Sequence, residues 1–484
     1  MTRPGRMLSI VLVTAAPAWL GLTAAAQEAK SPYVEDSDPR VRQKLSEWQD
    51  LKLGLLMHWG TYSQWGIVES WSLCSEDESW CKRSMDDYGQ YKTTYEALQT
   101  TFNPVKFDPE RWAKAAKDAG MRYVVFTTKH HDGFSMFDTK QTDYRITSPK
   151  TPFSTNPRAD VTKAIFDAFR AQGFMTGAYF SKPDWHSLDY WWPYFATPDR
   201  NPNYDLKKYP DRWARFVAFT HAQIHELMSN YGNVDILWLD GGWVRTRTDA
   251  EIKAEINSPD YKFARVQSQD IDMPRLVAEA RAKQPGLIVV DRAVPGPYQN
   301  YLTPENRVPD KMLPYPWEVP MPMAQSWSYV PTDRYKTSHV LIQTLVDVVA
   351  KGGNLLLNIG PGPDGTWHDA AYDRLAALGV WMKVNAEAIY ATRPLAPYVA
   401  GKIRFTRAKD GAVYVIYLPA VGETALPREV MVTSVTPAAG ATITLLGAGG
   451  TIPWETSGQG FVAHLPAGLA APNADAWVFR VAGK

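Results

Sequence analysis

The sequence predicts an α/β protein, a (β/α) TIM-like barrel followed by a C-terminal antiparallel β-sandwich. Three observations carry this. Short apolar runs alternate with helical patterns from Leu53 to Tyr390, the order of repeated βα units around a parallel sheet. Beyond Leu395 the runs alternate in polarity and are separated by Gly-, Pro- and Ala-rich turns, as in antiparallel strands packed face to face. The length, 484 residues, exceeds one ordinary compact domain and suits a barrel with a smaller partner.

Taken in order, residues 1–26 read as a secretory signal. Arg3 and Arg6 precede an apolar run from Met7 to Leu22, and Ala24-Ala25-Ala26 forms a small-residue cleavage site before Gln27. Pro17 interrupts the apolar run and polar residues follow it directly, so export to a periplasm or medium is expected, without a membrane anchor. Residues 27–392 are assigned to the barrel, with the polar stretch 27–50 expected to cover its bottom. Strands are expected at Leu53–Trp59, Tyr123–Lys129, Met175–Ser181, Val234–Asp240, Leu287–Arg292, near Met323–Trp327 and at Asn354–Ile359. They are mostly apolar, as parallel strands buried on both faces are. Helices are expected between them at Pro109–Ala119, Asp160–Gln172, Asp211–Tyr231, Met273–Lys283, Tyr335–Lys351 and Asp369–Tyr390. The first of these starts with Asp108 as N-cap and Pro109 at the first helical position, and stops at Gly120. Residues 393–484 are assigned to the sandwich, with strands at Lys402–Arg407, Ala412–Leu418, Val430–Val435, Thr442–Leu446, Phe461–Leu465 and Ala476–Val481.

Composition narrows the function classes. The formal charge is +1, which gives no electrostatic footprint for nucleic acid or an anionic membrane. The 19 Trp, 24 Tyr and 17 Phe supply faces that pack on sugar rings, although most such residues serve a large core. Cys74 and Cys81 are the only cysteines, and either a disulfide or two buried thiols is consistent with their spacing.

In such a barrel, chemistry sits at the C-terminal ends of strands. Asp240 ends an apolar run and precedes Gly241-Gly242, so it is exposed at the mouth; the alternative is an Asp that caps a helix or bonds a glycine turn. Three of the nine histidines, His58, His130 and His131, stand at strand ends. They suit hydrogen bonds to sugar hydroxyls or a metal, and one of two adjacent strand histidines ordinarily faces the core. No HxH or HExxH motif is present, so no metal and no cofactor is expected.

The segments Met57-His58-Trp59-Gly60, Tyr123–Phe134 (YVVFTTKHHDGF), Asp184-Trp185, Leu237–Gly241 and Lys351–Pro361 (KGGNLLLNIGP) together resemble the α-L-fucosidases of glycoside hydrolase family 29. The resemblance implies an exo-acting, retaining hydrolase that removes terminal fucose from oligosaccharides or glycoconjugates. It implies Asp240 as nucleophile, Glu305 of Tyr301–Glu305 (YLTPE) as acid/base with Glu318 as runner-up, and a fucose pocket of His58, Trp80, His130, His131, Tyr179, Trp238, Arg292 and Trp327. Trp327 is the aromatic expected to face the C5 methyl group. Two other readings stand beside this one, a metal-dependent hydrolase using His58, His130, His131 and Asp240, and a non-catalytic glycan-binding protein.

Overall fold

The computed structural model describes residues 33–74, 82–197, 199–259, 261, 263 and 265–483. The expected signal segment, Trp80 and Cys81 lie outside these residues. Tyr33–Lys484 forms one compact unit.

Seven parallel strands form the first sheet: β1 (Leu53–Met57), β2 (Tyr123–Lys129), β3 (Met175–Ser181), β4 (Ile236–Asp240), β5 (Ile288–Asp291), β6 (Glu318–Pro322) and β7 (Asn354–Ile359). Their order is β5-β4-β3-β2-β1-β7-β6. Every residue of β1, β2, β5, β6 and β7 is buried, which explains why the strands read as unbroken apolar runs rather than alternating ones. The gap between β5 and β6 is closed by irregular chain. Asn300 N–H bonds Val289 (2.9 Å) on the way down β5; Leu302 then bonds Pro316 (3.0 Å) and Asn306 bonds Pro320 (3.1 Å) on the way up β6. Glu305 sits near the top of this climb.

The sixth strand differs from its expected position near Met323–Trp327. It starts five residues earlier, in a Pro-rich stretch that reads as loop. Glu318 N–H bonds Leu302 across this edge at 2.8 Å. Pro320 and Pro322, two and four residues on, would direct their missing N–H to the same side, where irregular chain makes no regular ladder.

The helices are α1 (Pro39–Leu51), α2 (Tyr88–Ala97), α3 (Pro109–Asp118), α4 (Val161–Ala171), α5 (Pro210–Asn230), α6 (Asp249–Ile256), α7 (Met273–Lys283), α8 (Ser338–Ala350) and α9 (Asp369–Asn385). Local chemistry sets their starts: Asp108 accepts from Arg111 N–H at 3.0 Å with Pro109 next, and Asp160 accepts from Lys163 N–H at 3.1 Å. The expected helices beginning at Tyr335 and ending at Tyr390 are shorter, because Thr337 caps α8 and a 3-10 turn, Ala386–Ala388, ends α9. Helix α1 covers the N-terminal end of the barrel. Its Trp48 stacks on Tyr301 (4.0 Å between ring centroids), and its Lys44 pairs with Asp235, just ahead of β4, at 2.6 Å.

Beyond α9 lie β8 (Arg393–Ala400), β9 (Ile403–Arg407), β10 (Val413–Tyr417), β11 (Glu429–Val432), β12 (Thr442–Leu445), β13 (Trp454–Ser457), β14 (Gly460–His464) and β15 (Trp477–Ala482). They form antiparallel sheets ordered β12-β15-β10-β9-β8 and β11-β14-β13, with Phe405, Val415, Val432, Phe461 and Phe479 among the core between them. Strands β8 and β13 were not expected, since Pro394 and Pro397 interrupt the first and the second is largely exposed and polar. The sandwich is fastened to the barrel helices: Gln343 donates to Pro419 and Asp475 carbonyls at 2.7 and 2.9 Å, and Trp381 donates to Ala476 at 3.1 Å.

Candidate active site

Asp240 ends β4 and opens onto a cavity of about 370 Å³ at the C-terminal ends of the strands. Gly241 takes φ +87°, a left-handed conformation natural to glycine. That turn lets Gly241 N–H reach Asp240 Oδ1 at 2.7 Å. The same oxygen accepts from Arg292 Nη1 at 3.0 Å, and Oδ2 accepts from the Tyr179 hydroxyl at 2.6 Å. Burial works to raise the pKa of this carboxyl. Arg292, His131, the tyrosine hydroxyl and the Gly241 N–H outweigh it and hold Asp240 far below the usual carboxylate range. A carboxyl so held is ionised at any physiological pH.

Arg292 follows β5. Its neighbour Asp291 turns away to pair with Lys182, at the end of β3, in a fully buried contact that ties the two strand ends together. The Arg292 guanidinium bonds Asp240 through Nη1 and Glu305 through Nη2, and lies 5.5 Å over the Trp238 ring. Glu305 therefore lines the cavity, with about a third of its side chain exposed. Glu318 does not line it. It is fully buried inside the barrel, accepting from Tyr123 OH at 2.7 Å and Trp238 Nε1 at 3.2 Å. Gly54 makes room for this arrangement, because a Cβ there would lie 2.3 Å from the Tyr123 ring. Burial raises the Glu318 carboxyl to about 7. The runner-up acid is thus a structural carboxyl beneath the pocket, joined to it through Trp238, which stacks on Tyr179 at 5.2 Å.

The three histidines meet beside Asp240, with His131 Nε2 3.9 Å from Asp240 Oδ2. Asn358, on β7, accepts from His58 N–H (3.1 Å) and from Nδ1 (2.9 Å). Nδ1 therefore carries the proton and Nε2 is an acceptor. Burial keeps His58 down at about 4 and His131 at about 3, and lowers His130 well below its ordinary value. All three are neutral rings. Both His130 and His131 line the cavity, against the expectation that one of two adjacent histidines faces the core. The reason is local: β2 ends at Lys129 after a register shift at Thr127, so strand alternation no longer applies. The Ser70 hydroxyl bonds His130 Nδ1 and also accepts from Asp132 N–H at 3.0 Å. Trp327 closes this side, its ring 5.2 Å from His58 and its carbonyl held by Asn358 Nδ2 at 2.6 Å.

The α-L-fucosidase family profile matches residues 20–387, more than half of the chain. The chain belongs to the α-L-fucosidase family. Human tissue α-L-fucosidase is 29% identical to it over 96% of this chain and 95% of its own length. Among solved structures, α-L-fucosidase isoenzyme 1 from Paenibacillus thiaminolyticus superposes with a TM-score of 0.71 at 27% identity, covering 91% of this chain and 99% of that one. The Thermotoga maritima α-fucosidase bound to a mechanism-based inhibitor gives 0.70 at 26% identity, covering 93% and 100%.

Within this α-L-fucosidase fold, the cavity also holds residues that sequence reasoning missed. Glu69 is 2% exposed, accepts from Ser328 N–H at 2.9 Å, and is raised by burial to about 7. Trp71 lines the pocket with its ring 5.2 Å from His131. Both belong to Glu69-Ser70-Trp71. The same three residue types recur at Glu78-Ser79-Trp80, whose Trp80 lies outside the described residues, and this repeat was the available signal. Trp243 and Arg200 complete the outer wall.

His130, His131 and Asp240 form the one group among the described residues close enough to hold a metal ion, their ligand atoms within 4.8 Å of one another. The donor set does not fit a cation. Both Asp240 oxygens already accept strong hydrogen bonds, His130 Nδ1 is bonded to Ser70, and the Arg292 guanidinium sits against the same carboxylate.

Proposed function

We propose that this protein hydrolyses terminal α-L-fucose from glycans with retention of configuration, Asp240 acting as nucleophile and Glu305 as acid/base. The observation that carries the assignment is Arg292, whose one guanidinium contacts both carboxylates. It draws both carboxylates to one wall of the cavity, which supports a double displacement, in which two carboxyl groups flank the scissile bond. Asp240 attacks the anomeric carbon as Glu305 delivers a proton to the departing glycosidic oxygen. The covalent fucosyl ester is then hydrolysed by a water that Glu305 deprotonates. Neutral His58, His130 and His131 orient the sugar hydroxyls, and the Trp327 face gives the C5 methyl an apolar wall.

A second donor is favoured by one observation: the Glu69 carboxyl, held near 7 by burial, retains its proton below neutrality and lines the same cavity. Export through residues 1–26 is part of the same reading, and N-terminal sequencing of the secreted protein should begin at Gln27. The direct test of the mechanism is covalent trapping with a 2-fluoro-fucosyl fluoride followed by peptide mass spectrometry. The label is expected on the peptide containing Asp240. Absence of any adduct during demonstrated turnover would sink the double displacement.

A further inference from the structure

A second cavity, of about 670 Å³, opens at the other end of the barrel, where α1 passes into β1. Lys52 lines it and is the unusual residue there. It lies between the two elements with φ +62°, and only 1% of it is exposed. A positive φ is a conformation that glycine adopts freely and other residues rarely do. Here a lysine takes it, its side chain buried along the cavity lining. Among the described residues no carboxylate pairs with its ammonium and no acceptor bonds it. The acid that acts on it, Asp50, is already bound by Arg393 (2.5 Å) and Lys409 (2.6 Å). Burial and the nearby Arg393 push Lys52 down to about 7.

An uncompensated buried amine is costly, and residues held in unfavourable conformations concentrate where a ligand is bound. The rest of the lining describes that ligand. Arg42 is exposed at the cavity and has no carboxylate partner among the described residues. Glu35 is the one acid lining it. Tyr33 and Tyr315 stack with centroids 5.8 Å apart and planes 23° from parallel, giving a flat apolar wall beside Met312. An inorganic anion would leave that wall unused, and a neutral molecule would leave Lys52 uncompensated.

We propose that this cavity binds an organic carboxylate with one apolar face, the carboxylate meeting Lys52 and Arg42 and the body lying on the Tyr33–Tyr315 wall. Its volume falls in the range of small-molecule sites. A bound carboxylate restores the full charge of Lys52, so the ligand supplies the partner that the protein lacks.

Isothermal titration calorimetry on the full chain tests this, with L-fucose saturating the first cavity. D-glucuronate and benzoate serve as carboxylates with a sugar or an aromatic body; glucose and sulfate serve as controls. At least one carboxylate is expected to bind with 1:1 stoichiometry, and the tighter of the two identifies the body. Lys52→Met and Arg42→Ala should each weaken it by at least about tenfold. Both variants should cleave an aryl fucoside as the parent does, which keeps this result separate from the fate of the fucosidase mechanism. Arg42 is exposed, so Arg42→Ala decides the matter if Lys52→Met does not fold. Failure of both carboxylates to bind, sulfate binding as tightly as either, or unchanged affinity in the variants overturns the proposal.

Discussion

The Tyr179 hydroxyl donates to Asp240 Oδ2 at 2.6 Å while the tyrosine ring stacks on Trp238. Packing fixes the donor before any substrate arrives, so the bond needs no reorganisation during catalysis. Tyr179→Phe keeps the ring and removes only the bond. A hydrogen bond to a charged group is worth about 1.5–3 kcal/mol, so kcat/KM on an aryl fucoside should fall roughly ten- to a hundredfold with the melting temperature little changed. Unaltered kinetics would show that Asp240 is organised by Arg292 and Gly241 alone.

Asp240→Asn should lose about 10³-fold or more in kcat while circular dichroism stays native, because the covalent route is removed. Near-normal turnover in the folded variant rules out Asp240 as the nucleophile.

Loss of the true acid/base leaves a fucosyl-enzyme that no base hydrolyses, and azide, which needs no base, then intercepts it. Glu305→Ala should therefore retain aryl fucosides better than natural glycans and should be rescued by azide, giving the α-fucosyl azide. Glu318→Ala should show no rescue, since that carboxyl never meets the cavity. Rescue of Glu69→Ala in place of Glu305→Ala transfers the role to Glu69.

Glu318 also makes a pH prediction. Its carboxyl rises in the folded chain from about 4.5 to about 7 through burial. The folded state then holds a proton that the unfolded state has lost, so this group lowers stability as pH rises from about 4.5 to about 7, with no further change above. Glu318→Gln keeps a neutral side chain in place. Melting temperatures measured across that window should decline less with pH than those of the parent. An identical slope in both proteins means that Glu318 does not titrate as described.

The barrel strands were legible because each is buried on both faces and reads as one apolar run between turn residues. Asp240 was legible for the same reason, being the polar residue on which such a run stops. Trp71 and the sixth strand show where this logic stops. Two copies of Glu-Ser-Trp stand nine residues apart, and nothing local announces that the first, Glu69-Ser70-Trp71, lines the pocket. The Pro-rich edge strand has no apolar run to announce it. Glu305 and Glu318 both stand in Pro-containing stretches of sequence, yet one reaches Arg292 and the other is sealed between Tyr123 and Trp238.

The sequence by itself determined the barrel-and-sandwich architecture, the family, and the strand ends from which the site is built, because these depend on local periodicity and on short motifs. Only the tertiary structure decided which carboxylates share an environment. The Arg292 bridge joins residues 52 and 13 positions away along the chain. The His58 tautomer is set by Asn358, 300 positions distant. The charge of a carboxyl or an imidazole depends on its burial and on the donors around it, and those are properties of the folded chain.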